Sequence, residues 1–386
     1  MSEFRTIREL CSVVVDCPHS TPKWTANGKI VIRNKNIKHG KIDFSSPSYT
    51  DDEHFAQRIK RAKPQPGDII ITREAPIGDV GMIPENTECC LGQRMVLLRA
   101  NQSVCDNFYL LYSLQSLYVQ HQIFWSEGTG TTVSNLRIPH LEQIQIPYLP
   151  LEQQAKISSV LRALEEKIEN NRRLNDNLQQ QAAALFSSLY DRTNTEVRFT
   201  DLIQILGGGT PKTGENTYWN GNIAFFTPKD VGTPYTLITE KTITEEGLSH
   251  CNSRLYPVNT VFVTARGTVG KVGMSGVPMA MNQSCYALVG KETHQLLVYF
   301  YTLKAVDRLK HKASGAVFDA ITTRDFESEQ IMKLSDDDAK AFLCIAEPMF
   351  QKVLNNCIEN LRLSTLRDSL LPKLMSGEVD VSAVQL

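Results

Sequence analysis

A chain of 386 residues is roughly two and a half times the ~150 residues of an ordinary domain, so two globular units with connecting segments are expected. Hydrophobic residues make up 41%, charged residues 22%, and the net charge is −1. That composition excludes a mainly disordered or fibrous chain and leaves any nucleic-acid footprint to local patches. No window approaches ~18 consecutive apolar residues, so no transmembrane helix is expected. The N-terminal run MSEFRTIRELCSVVVDC mixes acids with bases and lacks the apolar core of a secretory signal. Nine scattered cysteines, without a CxxC pair or zinc spacing, fit reduced thiols in a cytoplasm and no metal site. Cys89 and Cys90 read as packing residues of a strand.

The chain is written twice. At a constant offset of 185 residues Gly130 meets Gly315, Leu136 meets Ile321 and Ile146 meets Ile331. The same offset runs on through Asn170/Asn355, Asn171/Asn356, Leu178/Leu363, Leu185/Leu370 and Leu189/Leu374. Earlier landmarks match in order with small insertions: STPKW (20–24) with GTPKT (209–213), IRNKNI (32–37) with FTPKDV (226–231), ITREAPIGDVGM (71–82) with VTARGTVGKVGM (263–274), and LGQR (91–94) with MNQS (281–284). A repeat this long is two copies of a whole module rather than a solenoid.

In chain order, residues 1–149 mix short β-rich runs, DIIIT at 68–72 and MVLLR at 95–99, with an amphipathic stretch near 106–125. The reading is a compact α/β (α+β) domain with a twisted sheet. Residues 150–192 form a long helix opening after Pro150, with apolar steps of four and three at Ile157, Leu161, Leu164, Ile168, Leu178, Ala182, Leu185 and Leu189. Residues 193–334 repeat the first domain, with TVFVT at 260–264, CYALV at 285–289 and an amphipathic run near 294–312. Residues 335–386 repeat the helix and end in a tail, with Phe342, Ala346, Met349, Val353, Leu363, Leu370 and Leu374 in phase. A 3.5-residue period is a coiled-coil seam. Asn171 and Asn175 in one seam, and Asn356 and Asn360 in the other, are either solvent-facing or paired across the seam to fix register. Ser335 with Asp336, Asp337 and Asp338 makes a good helix start. Pro348 predicts a kink or restart, and Gly377 a C-terminal cap.

The motif search finds no reaction centre. There is no phosphate-binding G-x-x-x-x-G-K-[ST], no G-x-S-x-G elbow, no H-E-x-x-H and no Pro-Pro dipeptide. The eight histidines have no partners across the repeat, and Glu165 and Glu166 read as solvated helix charge. Basic runs are local: Lys23, Lys29, Arg33, Lys35, Lys38 and Lys41, then Arg58, Lys60, Arg61 and Lys63, then Lys304, Arg308, Lys310 and Lys312. Such runs are either solvated faces or DNA-binding edges. Placed alike in both copies are Lys23 and Lys212, Lys35 and Lys229, Arg73 and Arg266 beside matched glycine loops, and Gln93 and Gln283. With Arg33, Arg94 and Lys271, these are the candidates for phosphate or base contact. For Gln93 and Gln283 the alternative is a turn cap.

The Thr-Pro segment GGTPKTGENTYWNGNIAFFTPKD (208–230), the helix start PLEQQ-K-I (150–157), the helix centre I-x-x-N-x-x-L (168–174) and the terminal L-x-S-G-E-V (374–379) together resemble the specificity subunit of type I restriction–modification enzymes. The resemblance covers essentially the whole chain. It departs at KLSDDDAKAF (333–342), which replaces PLEQQAKI in the second copy. It implies two target-recognition domains that each read one half of a split double-stranded DNA site, without catalysis. Two antiparallel helices set the spacing and dock two methyltransferase subunits, with motor–nuclease subunits joining that core. It further implies a prokaryotic cytosol, no cofactor on this chain, and S-adenosylmethionine, ATP and magnesium on the partners. An enzyme with an unrecognised methyltransferase or nuclease site, and a coiled-coil scaffold that binds no DNA, are the competing readings.

Overall fold

Short β-branched and aliphatic runs dominate residues 11–100. The computed structural model pairs them as an antiparallel sheet in the order Cys11–Asp16, Met95–Ala100, Ile69–Thr72, Val80–Met82. It describes residues 3–38, 40–125, 135–232, 234–312 and 320–381. Gly130, Gly315 and His39 fall outside the described residues. Because successive strand side chains point to opposite faces, Ile69, Ile71, Val96 and Leu98 pack under the helices Asn107–Gln115 and Leu117–Trp125. Ile70, Met95 and Leu97 pack on the other face against Ile32, Cys89 and Leu91. Those last residues belong to a three-stranded sheet, Ser48–Thr50, Lys29–Ile32 and Cys89–Leu91, with its final pair parallel.

The second copy repeats the plan. Its larger sheet runs Ile203–Gly207, Cys285–Gly290, Val261–Thr264, Val272–Ser275, Tyr235–Thr236. Val261, Val263 and Leu288 face the helix Gln295–Lys312, while Phe262, Cys285 and Ala287 face the other way. A smaller sheet joins Lys241–Ile243, Trp219–Phe226 and Met279–Met281. The class is mixed helix and sheet with mainly antiparallel strands, the α+β form of the expectation.

Two long helices follow the sheets, Leu151–Tyr190 of 40 residues and Asp336–Ser376 of 41. The chain divides into two compact units, residues 1–167 with 363–386, and residues 168–362, so each unit holds a piece of both helices. In the first unit Ile157 and Leu161 pack with Leu374 and Met375, and with the half-buried Leu370. Leu164 is half-buried and Leu363 likewise. In the second unit Leu178, Ala182, Leu185, Phe186 and Leu189 pack with Phe342, Ala346, Phe350 and Val353. Ile168 is buried. Asn171 and Asn175 are also buried, and bond to Asn360 and Asn356 respectively. One partner advances four residues as the other retreats four, so the helices run antiparallel there.

Local chemistry explains the helix ends. Gln154 of PLEQQ is fully buried: its Oε1 accepts from Asp106 N at 2.9 Å, and its Nε2 donates to Leu149 O at 2.7 Å and Val104 O at 3.1 Å. Ser335 Oγ accepts from Asp338 N at 3.1 Å, and Gly377 ends the second helix at φ 75°. Two expectations need correction. Of the two alternatives at Pro348 the restart does not occur, because the helix is continuous through it. Both Pro348 and Cys344, whose carbonyl loses its partner, are exposed, so water can take that carbonyl while Ala346, Phe350 and Val353 hold the buried side. Glu165 is not solvated: it accepts from the Tyr112 hydroxyl at 3.0 Å and pairs with Arg367 at 3.5 Å, whereas Glu166 is exposed beside Arg162.

Candidate nucleic-acid interface

In the first unit the strand Ile69–Thr72 ends beside Met95, and the chain beyond it is tied down by the backbone bond from Arg73 N to Arg94 O at 2.8 Å. The loop from Leu91 to Arg94 lies on strand Lys29–Ile32, where Gly92 N donates to Ile32 O at 2.7 Å. A Cβ at Gly92 would sit 2.6 Å from that carbonyl, so the close approach requires glycine. Arg58 locks the arrangement from below. Its buried guanidinium donates to Leu91 O (2.7 Å), Gly92 O (2.8 Å), Ser20 O (2.9 Å) and Pro18 O (3.1 Å). Gln93 Nε2 adds a bond to His19 O. The Thr-Pro segment and the 91–94 loop are thereby fixed to each other.

Between them opens a cleft of about 410 Å³ lined by Trp24, Arg33, Asn34, Lys35, Gln93 and Arg94. Arg33 lies over the Trp24 ring at 5.0 Å. Lys35 Nζ reaches Ser46 Oγ at 3.3 Å, and Arg94 Nε faces Glu74 Oε2 at 3.3 Å. Asn34 donates to Glu74 O at 2.6 Å, while its Oδ1 is buried without a partner among the described residues. Lys23, outside the cleft, pairs with Asp51 at 3.3 Å. The Asp51 carboxyl is held down to about 2, chiefly by the backbone amide of His54 and then by the His54 ring.

The second unit repeats the frame with other side chains. Ala265 N bonds to Ser284 O at 2.8 Å as Arg73 N does to Arg94 O, and Ile321 N bonds to Ala265 O as Leu136 N does to Arg73 O. Trp219 Nε1 donates to the Lys212 carbonyl at 3.1 Å, leaving the Lys212 side chain exposed. Lys229 pairs loosely with Glu240 at 3.6 Å, and Thr210 Oγ1 bonds to Gln283 Oε1. Arg266 and Lys271 are exposed, with no ion pair among the described residues.

These bonds correct the equivalence of Arg73 and Arg266. The backbone aligns Thr72 with Thr264, so Arg73 matches Ala265, and Arg266 matches Glu74. Nor does Arg73 face solvent. Its Nη1 grips both oxygens of Asp16 at 2.8 and 2.9 Å and its Nε donates to Leu136 O, with side-chain exposures of 12% for Arg73 and 13% for Asp16. Arg73 is an internal strut. The basic runs thin out as well. Lys29 and Lys63 share Glu88, whose carboxyl their hydrogen bonds hold at about 2. In the second copy Arg308 and Lys312 both serve the buried Glu329, and Lys304 lies over the Tyr190 ring.

Sequence reasoning missed Trp24, Asn34 and Glu74, and took Arg58 for a surface charge. The aromatic after the Thr-Pro-Lys turn was the available signal for Trp24. Burial of the Cys89 thiol pushes it up to about 12, and that of Cys285 likewise, so both are inert packing groups.

Two copies of one sheet-and-helix unit, each with a rigid polar edge, define a tandem recognition protein. Comparison with known proteins names the class. The family described as type I restriction modification DNA specificity domain matches residues 3–180 and again 192–333. The MjaIX type I restriction enzyme specificity subunit of Methanocaldococcus jannaschii is 22% identical over 342 residues, 82% of this chain and 78% of that protein. The HindI specificity subunit of Haemophilus influenzae is 28% identical over 186 residues, 47% of this chain and 40% of that one. The type I restriction–modification S subunit from M. genitalium shares the fold, with a TM-score of 0.63 at 18% identity over 97% of this chain and 96% of its own. The chain therefore belongs to the type I restriction modification DNA specificity family. Its role there is target recognition through two specificity domains, as a non-catalytic component of the system.

Proposed function

We propose that each specificity domain reads one half of a bipartite duplex DNA target. The paired long helices set the spacer and dock two methyltransferase subunits, and motor–nuclease subunits complete the assembly. The observation that carries this reading is the repeated edge: the sequence aligns Lys23 with Lys212, Lys35 with Lys229 and Gln93 with Gln283 on two units that repeat one backbone frame. Lysines placed this way suit phosphates, and amides and arginines suit base edges. On this reading the protein works in a prokaryotic cytosol, and S-adenosylmethionine, ATP and magnesium are held by the partners. No helix among the described residues is long and apolar enough to cross a membrane.

The test is methylome sequencing of cells carrying this gene with its methyltransferase partner. The expected result is a split, asymmetric methyladenine motif that vanishes on deletion of the gene. Replacing residues 1–145 by the equivalent domain of a relative should change one half-site only. A change in both half-sites, or in neither, contradicts independent reading.

A further inference from the structure

We propose that Arg94 reads a guanine in the half-site of the first recognition domain. The inference rests on the reading that this domain contacts one half of the DNA target. Arg94 sits at φ 65°, a left-handed conformation that arginine rarely adopts unless its surroundings hold it there. Here they do. Its carbonyl is bonded by Arg73 N, the next residue is in the central sheet, and Gly92 is fixed by Ile32 and Arg58. The Cα of Arg94 is set in place before any DNA arrives, which is what a reading side chain requires.

The side chain is aimed as well. Nε faces Glu74, and among the described residues no hydrogen bond takes up the two terminal nitrogens of a side chain that is 58% exposed. Those nitrogens form a flat pair of donors that matches the O6 and N7 acceptors of guanine in the major groove. Glu74 holds the Nε edge, which leaves the planar pair of terminal donors for a matching pair of acceptors. The other cations of this edge fit that task less well. Arg73 is consumed by Asp16, Arg33 lies over Trp24, and Lys23 and Lys35 lack a flat fork.

The second unit has no counterpart. At the places of Glu74 and Arg94 it carries Arg266 and Ser284, so the effect of Arg94 belongs to one half-site.

Methylomes are compared for cells expressing the wild-type chain, Arg94→Ala, Arg94→Lys or Glu74→Gln together with the methyltransferase partner. The expected wild-type motif contains a guanine in one half-site. In Arg94→Ala the preference for guanine at that position falls about tenfold or more, with every other position of both half-sites retained. Arg94→Lys loosens the same position, because an ammonium cannot form the planar pair, and Glu74→Gln loosens it partly. If Arg94→Ala does not accumulate, these two variants decide the matter. Unchanged selectivity in all variants overturns the proposal, as does relaxation at a base other than guanine. A uniform loss of methylation restored by lysine marks a phosphate contact and overturns it too. In each of these three cases the bipartite motif survives, so the domain reading stands. A wild-type methylome without a bipartite motif removes both.

Discussion

Asn356 donates through Nδ2 to Asn175 Oδ1 at 2.8 Å, joining the two long helices where Asn356 has no exposure to solvent. Four residues along, Asn171 Nδ2 bonds to Asn360 Oδ1 at 2.9 Å and to Glu359 Oε2 at 2.8 Å. The Asn356 Nδ2 is satisfied only by an aligned acceptor, while its Oδ1 stays buried without a partner among the described residues, so these bonds select one register out of the several that an apolar seam would tolerate.

Asn175→Ala strands the Asn356 amide and should cost about 1–3 kcal/mol. Leucine at both positions should leave stability nearly unchanged while admitting slipped registers. Urea unfolding measures the first effect, and cysteine cross-linking across the helix pair detects the second. An alanine variant as stable as the wild type would show that the pair is not formed.

Arg73→Ala and Arg266→Ala should behave as opposites. The first leaves the half-buried Asp16 carboxylate with only the His19 ring at 3.0 Å, and losing a charge-assisted bond at such a site costs about 1–3 kcal/mol. Its unfolding midpoint should fall well below that of the wild type. The second removes an exposed charge, should leave unfolding unchanged, and should lower the salt dependence of DNA binding by the assembled complex by about one unit. Equal thermal stability of the two variants counts against the strut.

Lys35 and Lys212 are the sharper tests of phosphate contact. Each alanine substitution should reduce the log–log salt slope by about 0.9 with both half-site sequences unchanged. Alanine at Lys29 and Lys63, which share Glu88, should shift the slope little. Slopes that move alike for all four lysines refute the distinction.

Asp51 carries a pH dependence of defined sign. Its carboxyl is depressed to about 2 from an ordinary value of 3.8, so its contribution is fully present above 3.8 and disappears as the pH falls through about 2. The start of helix Asp52–Arg58, and the hold on Lys23, should therefore persist at pH 4. Carbon NMR titration of the Asp51 carboxyl checks this, and a midpoint near 3.8 argues against the cap.

The architecture was legible because its signals are periodic. Short β-rich apolar runs between Gly, Pro and Asn breaks marked Ile69–Thr72 and Val261–Thr264, a step of 3.5 residues marked both seams, and the constant offset tied one copy to the other. The polar edge was less legible because its logic is tertiary. Nothing in the string distinguishes Arg73 from Arg94, yet the strand register puts Asp16 beside the first and leaves the second open. Arg58 looked like one of a run of surface charges, and only the fold brings four carbonyls around it. Pro348 obeyed its covalent chemistry, but the face it occupies decided the outcome.

The four-for-four exchange between Asn171/Asn175 and Asn356/Asn360 has a consequence for how such a chain can change length. A turn added to one long helix between its asparagines slides every later contact past its mate. Only a turn added to both helices, at matching points on the pair, keeps the amides facing. Descendants of this sequence should thus lengthen or shorten in coupled steps, two distant stretches of the gene altering together although each encodes a different helix.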